Sequence, residues 1–67
     1  MKEELHQKVE RIVHRFGFGT IRVGNGRTGQ VTLSGSVSDI NDRALVVAIA
    51  RTTPGVQEVL SEITVIR

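Results

Sequence analysis

Apolar residues recur along the first sixteen positions with a helical period. Leu5, Val9, Ile12, Val13 and Phe16 fall at i, i+4, i+7, i+8 and i+11, a single stripe down one side of a helix. Glu3 and Glu4 sit in its first turn, where the helix dipole favours negative charge. Gly17 follows Phe16 at a position suited to a C-terminal cap. The pattern predicts a helix over residues 2–16. After Gly17-Phe18-Gly19 the period becomes two. Thr20-Ile21-Arg22-Val23 reads as a short strand with Ile21 and Val23 inward. Val31, Leu33 and Val37 alternate with Thr32, Ser34 and Ser36, a second half-buried strand. Gly35 takes the inward slot between Leu33 and Val37, which predicts close approach of another element or a bulge. Ser38-Asp39 offers an N-cap for a second helix from Ile40 to Thr52, and Pro54-Gly55 ends it. A third strand follows over 58–66, with Val59, Ile63 and Val65 on one face and Leu60, Thr64 and Ile66 on the other.

The first two strands form a hairpin, and the second helix crosses over to the third. The expected fold class is α+β: a two-layer αββαβ sandwich, two helices on one face of a three-stranded mixed sheet, in a single domain over 1–67.

Between the first two strands, Gly24-Asn25-Gly26-Arg27-Thr28-Gly29 spells G-x-G-x-x-G. A dinucleotide site needs that loop to open a helix, whose N-terminus meets the pyrophosphate. Here a strand pattern follows, so the stretch reads as a hairpin loop with Asn25-Gly26 as its turn signal. Gly26-Arg27-Thr28-Gly29 also spells the GxxG loop of KH RNA-binding domains, but that loop joins two helices and this one joins two strands.

The second helix is apolar on all sides. Ile40, Ala44, Val47 and Ala48 make one stripe, and Leu45, Val46, Ile49 and Ala50 make another on nearly the opposite side. A sheet covers one stripe only. What the first helix leaves uncovered is an exposed patch, the mark of a protein or membrane contact.

Composition narrows the chemistry. The chain has 67 residues, 39% of them hydrophobic and 24% charged. It holds no cysteine, which removes disulfides, thiolate catalysis and cysteine-based zinc sites. Net charge is +2, and the arginines are scattered along the chain rather than clustered as phosphate-dominated binding requires. With Phe16 and Phe18 as its only aromatics, the chain has no platform for stacking bases, so no nucleic-acid partner is expected. No apolar run approaches the roughly 20 residues that span a bilayer. The charged Met1-Lys2-Glu3-Glu4 start carries no apolar stretch after it, so no signal peptide is expected within the chain. His6, Glu10 and His14 share a helix flank at i, i+4 and i+8, a looser spacing than metal-binding histidine pairs use, and read as a solvated polar face. No serine sits in a G-x-S-x-G elbow, and Asp39 and Asp42 are explained by capping. Neither an enzyme nor a cofactor is expected.

Several of these segments resemble one family. Gln30-Val31-Thr32-Leu33-Ser34-Gly35-Ser36-Val37 is similar to the V-x-L-x-G-x-V strand of BON domains, named for bacterial osmotically inducible and nodulation proteins. Ile49-Ala50-Arg51, followed by Pro54-Gly55-Val56-Gln57-Glu58-Val59, resembles their I-A-x-x-x-x-G-V-x-x-V segment, and Ile63-Thr64-Val65 their final strand. The resemblance spans residues 5–66. It implies a non-enzymatic module of the bacterial periplasm or cell envelope, associated with osmotic stress and transport, that contacts phospholipid or a partner envelope protein. It also implies that Val46, Ile49 and Ala50 face inward and that Gly35 marks close packing of strand on helix. Ile40, Ala44, Val47 and Ala48 are then the surplus stripe and the expected interface, for a partner or a second copy of the chain. Contact with an anionic phospholipid surface would use Arg22 and Arg27 on the hairpin, each worth about 1 kcal/mol near acidic headgroups. Two departures from the family pattern, the less polar second helix and the longer glycine loop, favour a protein contact.

Overall fold

A computed structural model describes residues 3–66. The elements run α1 (Leu5–Arg15), β1 (Arg22–Asn25), β2 (Gln30–Val37), α2 (Ile40–Thr52) and β3 (Glu58–Val65). The sheet order is β1-β2-β3, with β1 antiparallel and β3 parallel to β2. α1 packs against β1, α2 against β2 and β3, and the two helices touch. This is the mixed α+β arrangement that the periodicity implies.

The start of α1 differs from expectation. Residue 2, the expected first position, lies outside the described residues; Glu3 and Glu4 precede the helix rather than occupying its first turn. Glu4 is the N-cap, and its N–H donates to the Gln7 side-chain oxygen at 2.9 Å. Glu3 instead pairs with Arg11 at 3.0 Å. At the other end Gly17, at φ +97°, donates to the His14 carbonyl, and the Phe18 N–H donates to that of Val13. These two bonds form a Schellman stop. It turns Phe16 out: the expected last member of the apolar stripe is 61% exposed, and Phe18 packs against the core in its place.

β1 lies two residues later than the alternation predicts, at Arg22–Asn25 rather than 20–23. Gly24 and Asn25, read as loop, pair with Thr32 and Val31. Ile21 and Val23 are buried as expected. α2 occupies the predicted Ile40–Thr52, with the Asp39 carboxylate accepting from the Asn41 N–H at 2.7 Å. At its end the buried Thr53 hydroxyl donates to the Ile49 carbonyl at 3.0 Å, so it carries no unmet hydrogen bond inside.

The core sits between the sheet and the helices. Val9 and Val13 of α1, Val46, Ile49 and Ala50 of α2, and Val31, Leu33 and Ile63 of the sheet form its centre. Gly35, at φ +116°, lies against backbone, not against a helix as the family pattern implies. A Cβ there would strike the Thr20 carbonyl oxygen and sit 3.2 Å from the Ile21 Cα. The chain entering β1 crosses directly over the glycine, and the Thr20 hydroxyl donates to the Ser36 carbonyl at 2.8 Å to hold it there.

Candidate interaction surface

The sheet and α1 bury Val46, Ile49 and Ala50. They do not cover the rest of α2. Ile40 is 58% and Leu45 47% exposed, Ala44 and Ala48 are exposed, and Val47 is half-buried against the core. The expected surplus stripe is therefore present, with Val47 serving both surface and interior.

The Ala44, Val47 and Ala48 side of α2 faces β3, which is an edge strand, whereas Leu45, from the opposite stripe, is exposed away from it. Between α2 and β3 runs an open groove of about 700 Å³. Ala44, Val47 and Ala48 form its helix wall, and Ser61 and Ile63 its strand wall. Arg43 and Arg51 stand along the helix side, and no carboxylate lines the groove. Among the described residues neither arginine forms an ion pair. Arg43 and Arg51 are not among the contact residues expected from the amino-acid pattern. Their signal was legible, because residues eight apart on a helix lie near one face.

The hairpin arginines are not brought together. Arg22 begins β1 on the solvent face of the sheet, in one row with Ser34 and Glu62, so an acid shares its surroundings. Arg27 lies beyond the far end of β1, in the loop, where its N–H donates to the Gln30 side-chain oxygen at 3.3 Å. That loop leads into β2, not into a helix, as the sequence indicated. Its Gly29 carbonyl accepts from the Gln57 N–H at 2.7 Å and the Glu58 N–H at 3.1 Å, tying the hairpin to the start of β3.

His14 is not simply a solvated side chain. Its Nε2 lies 2.7 Å from the Ile21 carbonyl oxygen, so Nε2 carries the hydrogen and straps α1 to the chain entering β1. Glu10 lies 3.9 Å away on the same flank. No group of three metal-ligating side chains occurs among the described residues. No helix among them is long and apolar enough to cross a membrane.

Comparison with known proteins agrees with this architecture. Among solved structures the chain is similar to CdsD, a structural protein of the type III secretion system of Chlamydia trachomatis, with a TM-score of 0.79 at 17% identity. The match covers 92% of this chain and 30% of that one, a likeness of fold. No curated protein sequence matches. The family model of the BON domain matches residues 2–67, and the chain belongs to the BON domain family.

Proposed function

We propose that residues 1–67 act as a single non-catalytic protein-contact module of a bacterial cell-envelope assembly, in the periplasm or at its membrane face. The contact surface is the outward side of α2 with the neighbouring groove. One observation carries this reading: Ile40, Ala44 and Ala48 remain exposed on a helix that buries Val46, Ile49 and Ala50 on its other side. A helix apolar on all sides normally buries all of them, so the uncovered side awaits a partner. Likeness in fold to a structural protein of a secretion apparatus supports an assembly role.

A phospholipid contact through Arg22 and Arg27 is the weaker reading. Two arginines at opposite ends of β1, one beside Glu62, make no concentrated basic patch.

Site-directed photo-crosslinking in the source organism separates the two. A photoreactive residue placed at Ala44 or Ala48 is expected to give protein adducts, and one at Arg22 or Arg27 none. Liposomes of anionic phospholipid should sediment the parent and the Arg22→Glu/Arg27→Glu variant equally. Lipid adducts at Arg22 and Arg27 with no protein adducts at Ala44 and Ala48, or sedimentation that depends on the two arginines, would overturn the protein-contact reading in favour of lipid.

A further inference from the structure

We infer that the free edge of β3 takes up an extended peptide segment as a fourth strand, and that this segment carries acidic residues four positions apart facing the α2 groove. The inference rests on the reading of this face as a protein-contact surface.

The edge itself comes first. The Glu58 N–H donates to the Gly29 carbonyl, and the Ile66 N–H to that of Val37. Even-numbered residues thus turn their backbone toward β2. The period of two then directs the N–H and C=O groups of Val59, Ser61, Ile63 and Val65 to the open edge. β3 pairs along eight residues without glycine or proline, whereas the opposite edge, β1, has four and contains Gly24. A long regular edge is a template for another strand.

The groove supplies the specificity. Ser61 and Ile63 turn their side chains beneath the edge, and the small side chains of Ala44 and Ala48 leave room opposite them. An added strand would point alternate side chains into this space. Arg43 and Arg51 lie eight residues apart on α2, about 12 Å along the helix. Strand residues i and i+4 lie about 13 Å apart. α2 runs back alongside β3, since it connects two parallel strands. Acidic side chains at i and i+4 therefore match the two arginines, with an apolar residue at i+2 over the alanines. On the solvent face the added strand would run beside Glu58 and Glu62, which disfavours acids at i+1 and i+3.

Charge and polarity exclude the other occupants. A second copy docking its own α2 side would bring Arg43 and Arg51 against the same arginines. A lipid chain would leave the edge N–H and C=O groups unpaired.

The test uses the whole chain and three synthetic peptides, with NMR titration and amide hydrogen exchange as readouts. Glu-Thr-Val-Lys-Glu-Thr-Val-Lys is expected to bind and to slow exchange at Val59, Ser61, Ile63 and Val65. Its charge-exchanged counterpart, Lys-Glu-Val-Thr-Lys-Thr-Val-Glu, whose acids lie six apart on the other face, and a backbone N-methylated version of the first should each bind at least about fivefold more weakly. The Arg43→Glu/Arg51→Glu variant should reverse the preference between the two charge patterns. If that variant fails to fold, the comparison on the parent chain decides alone. Equal binding of the two patterns, binding that survives N-methylation, or slowed exchange elsewhere would overturn strand addition. So would a dimer that occupies the groove in the parent chain. Ala48 crosslinks without peptide binding would leave the contact surface standing and remove only this inference.

Discussion

At Gly35 two independent demands meet on one residue. Its φ of +116° is unfavourable for any side chain, and the space a Cβ needs is filled by the Thr20 and Ile21 backbone. Backbone held by the Thr20–Ser36 hydrogen bond cannot swing aside as a side chain could. Gly35→Ala should therefore lower the unfolding free energy by about 2–3 kcal/mol, read as a lower urea midpoint at unchanged m-value. A variant as stable as the parent would mean that Thr20 and Ile21 do not press on the strand. The Glu3–Arg11 pair makes a smaller demand of known sign. The hydrogen bond from the Arg11 guanidinium holds the Glu3 carboxyl below its ordinary value, against an opposing effect of desolvation. A carboxyl depressed by folding stabilises the fold above its unfolded pKa, and that contribution is lost as pH falls through the depressed value. Glu3→Gln should thus melt slightly below the parent at neutral pH and together with it in strong acid. The pair is solvent-exposed, so raised salt should shrink the difference.

Among the elements, α2 was legible to the residue because each end carries local chemistry: the Asp39 cap at one, Pro54-Gly55 at the other. Asp39→Ala should cost about 1 kcal/mol, since the Asn41 N–H then loses its acceptor. β1 lies later than its local pattern suggests because Gly24 and the Asn25-Gly26 turn signal look like loop in isolation, and only pairing with Thr32 and Val31 makes Gly24 and Asn25 strand. Phe16 departs from its local pattern for a similar reason. Helical spacing places it on the stripe, but the Schellman stop ends α1 at Arg15 and releases it. The two readings of α1 predict different outcomes. By the structure Val13→Ala costs about 2 kcal/mol, whereas Phe16→Ala changes stability by under about 0.5 kcal/mol. Equal costs would return Phe16 to the core. The candidate surface was half legible. The surplus apolar stripe of α2 appears in the amino-acid pattern, because no two-layer fold can cover both sides of such a helix. The groove does not, because it depends on β3 being an edge, and strand order is a long-range outcome that local periodicity leaves open. The contact of Gly35 with Thr20 is likewise non-local, so the glycine signalled a close approach without naming its neighbour.

For the molecule as a whole, size and composition set how strongly a partner should be felt. The core is built from valine, isoleucine, leucine and alanine, with no disulfide to constrain the unfolded chain. A domain this small buries only about 60% of the surface its unfolded chain exposes, so its stability on its own is marginal. A strand added to β3 would bond to the element that joins α2 to the sheet, and unfolding would have to release it. Binding to the folded state alone adds RT ln(1 + [L]/Kd), about 2.7 kcal/mol at a hundredfold excess over Kd. In a domain of 60–100 residues each kcal/mol moves Tm by about 4–8 °C. The acidic alternating peptide at that excess should therefore raise Tm by roughly 10 °C or more. The rise should grow with the logarithm of peptide concentration and be far smaller for the charge-exchanged peptide. Calorimetry across a concentration series reads both. A Tm that stays fixed while the β3 amides are protected would show the peptide binding the unfolded chain equally well, and the edge would then be no selective template.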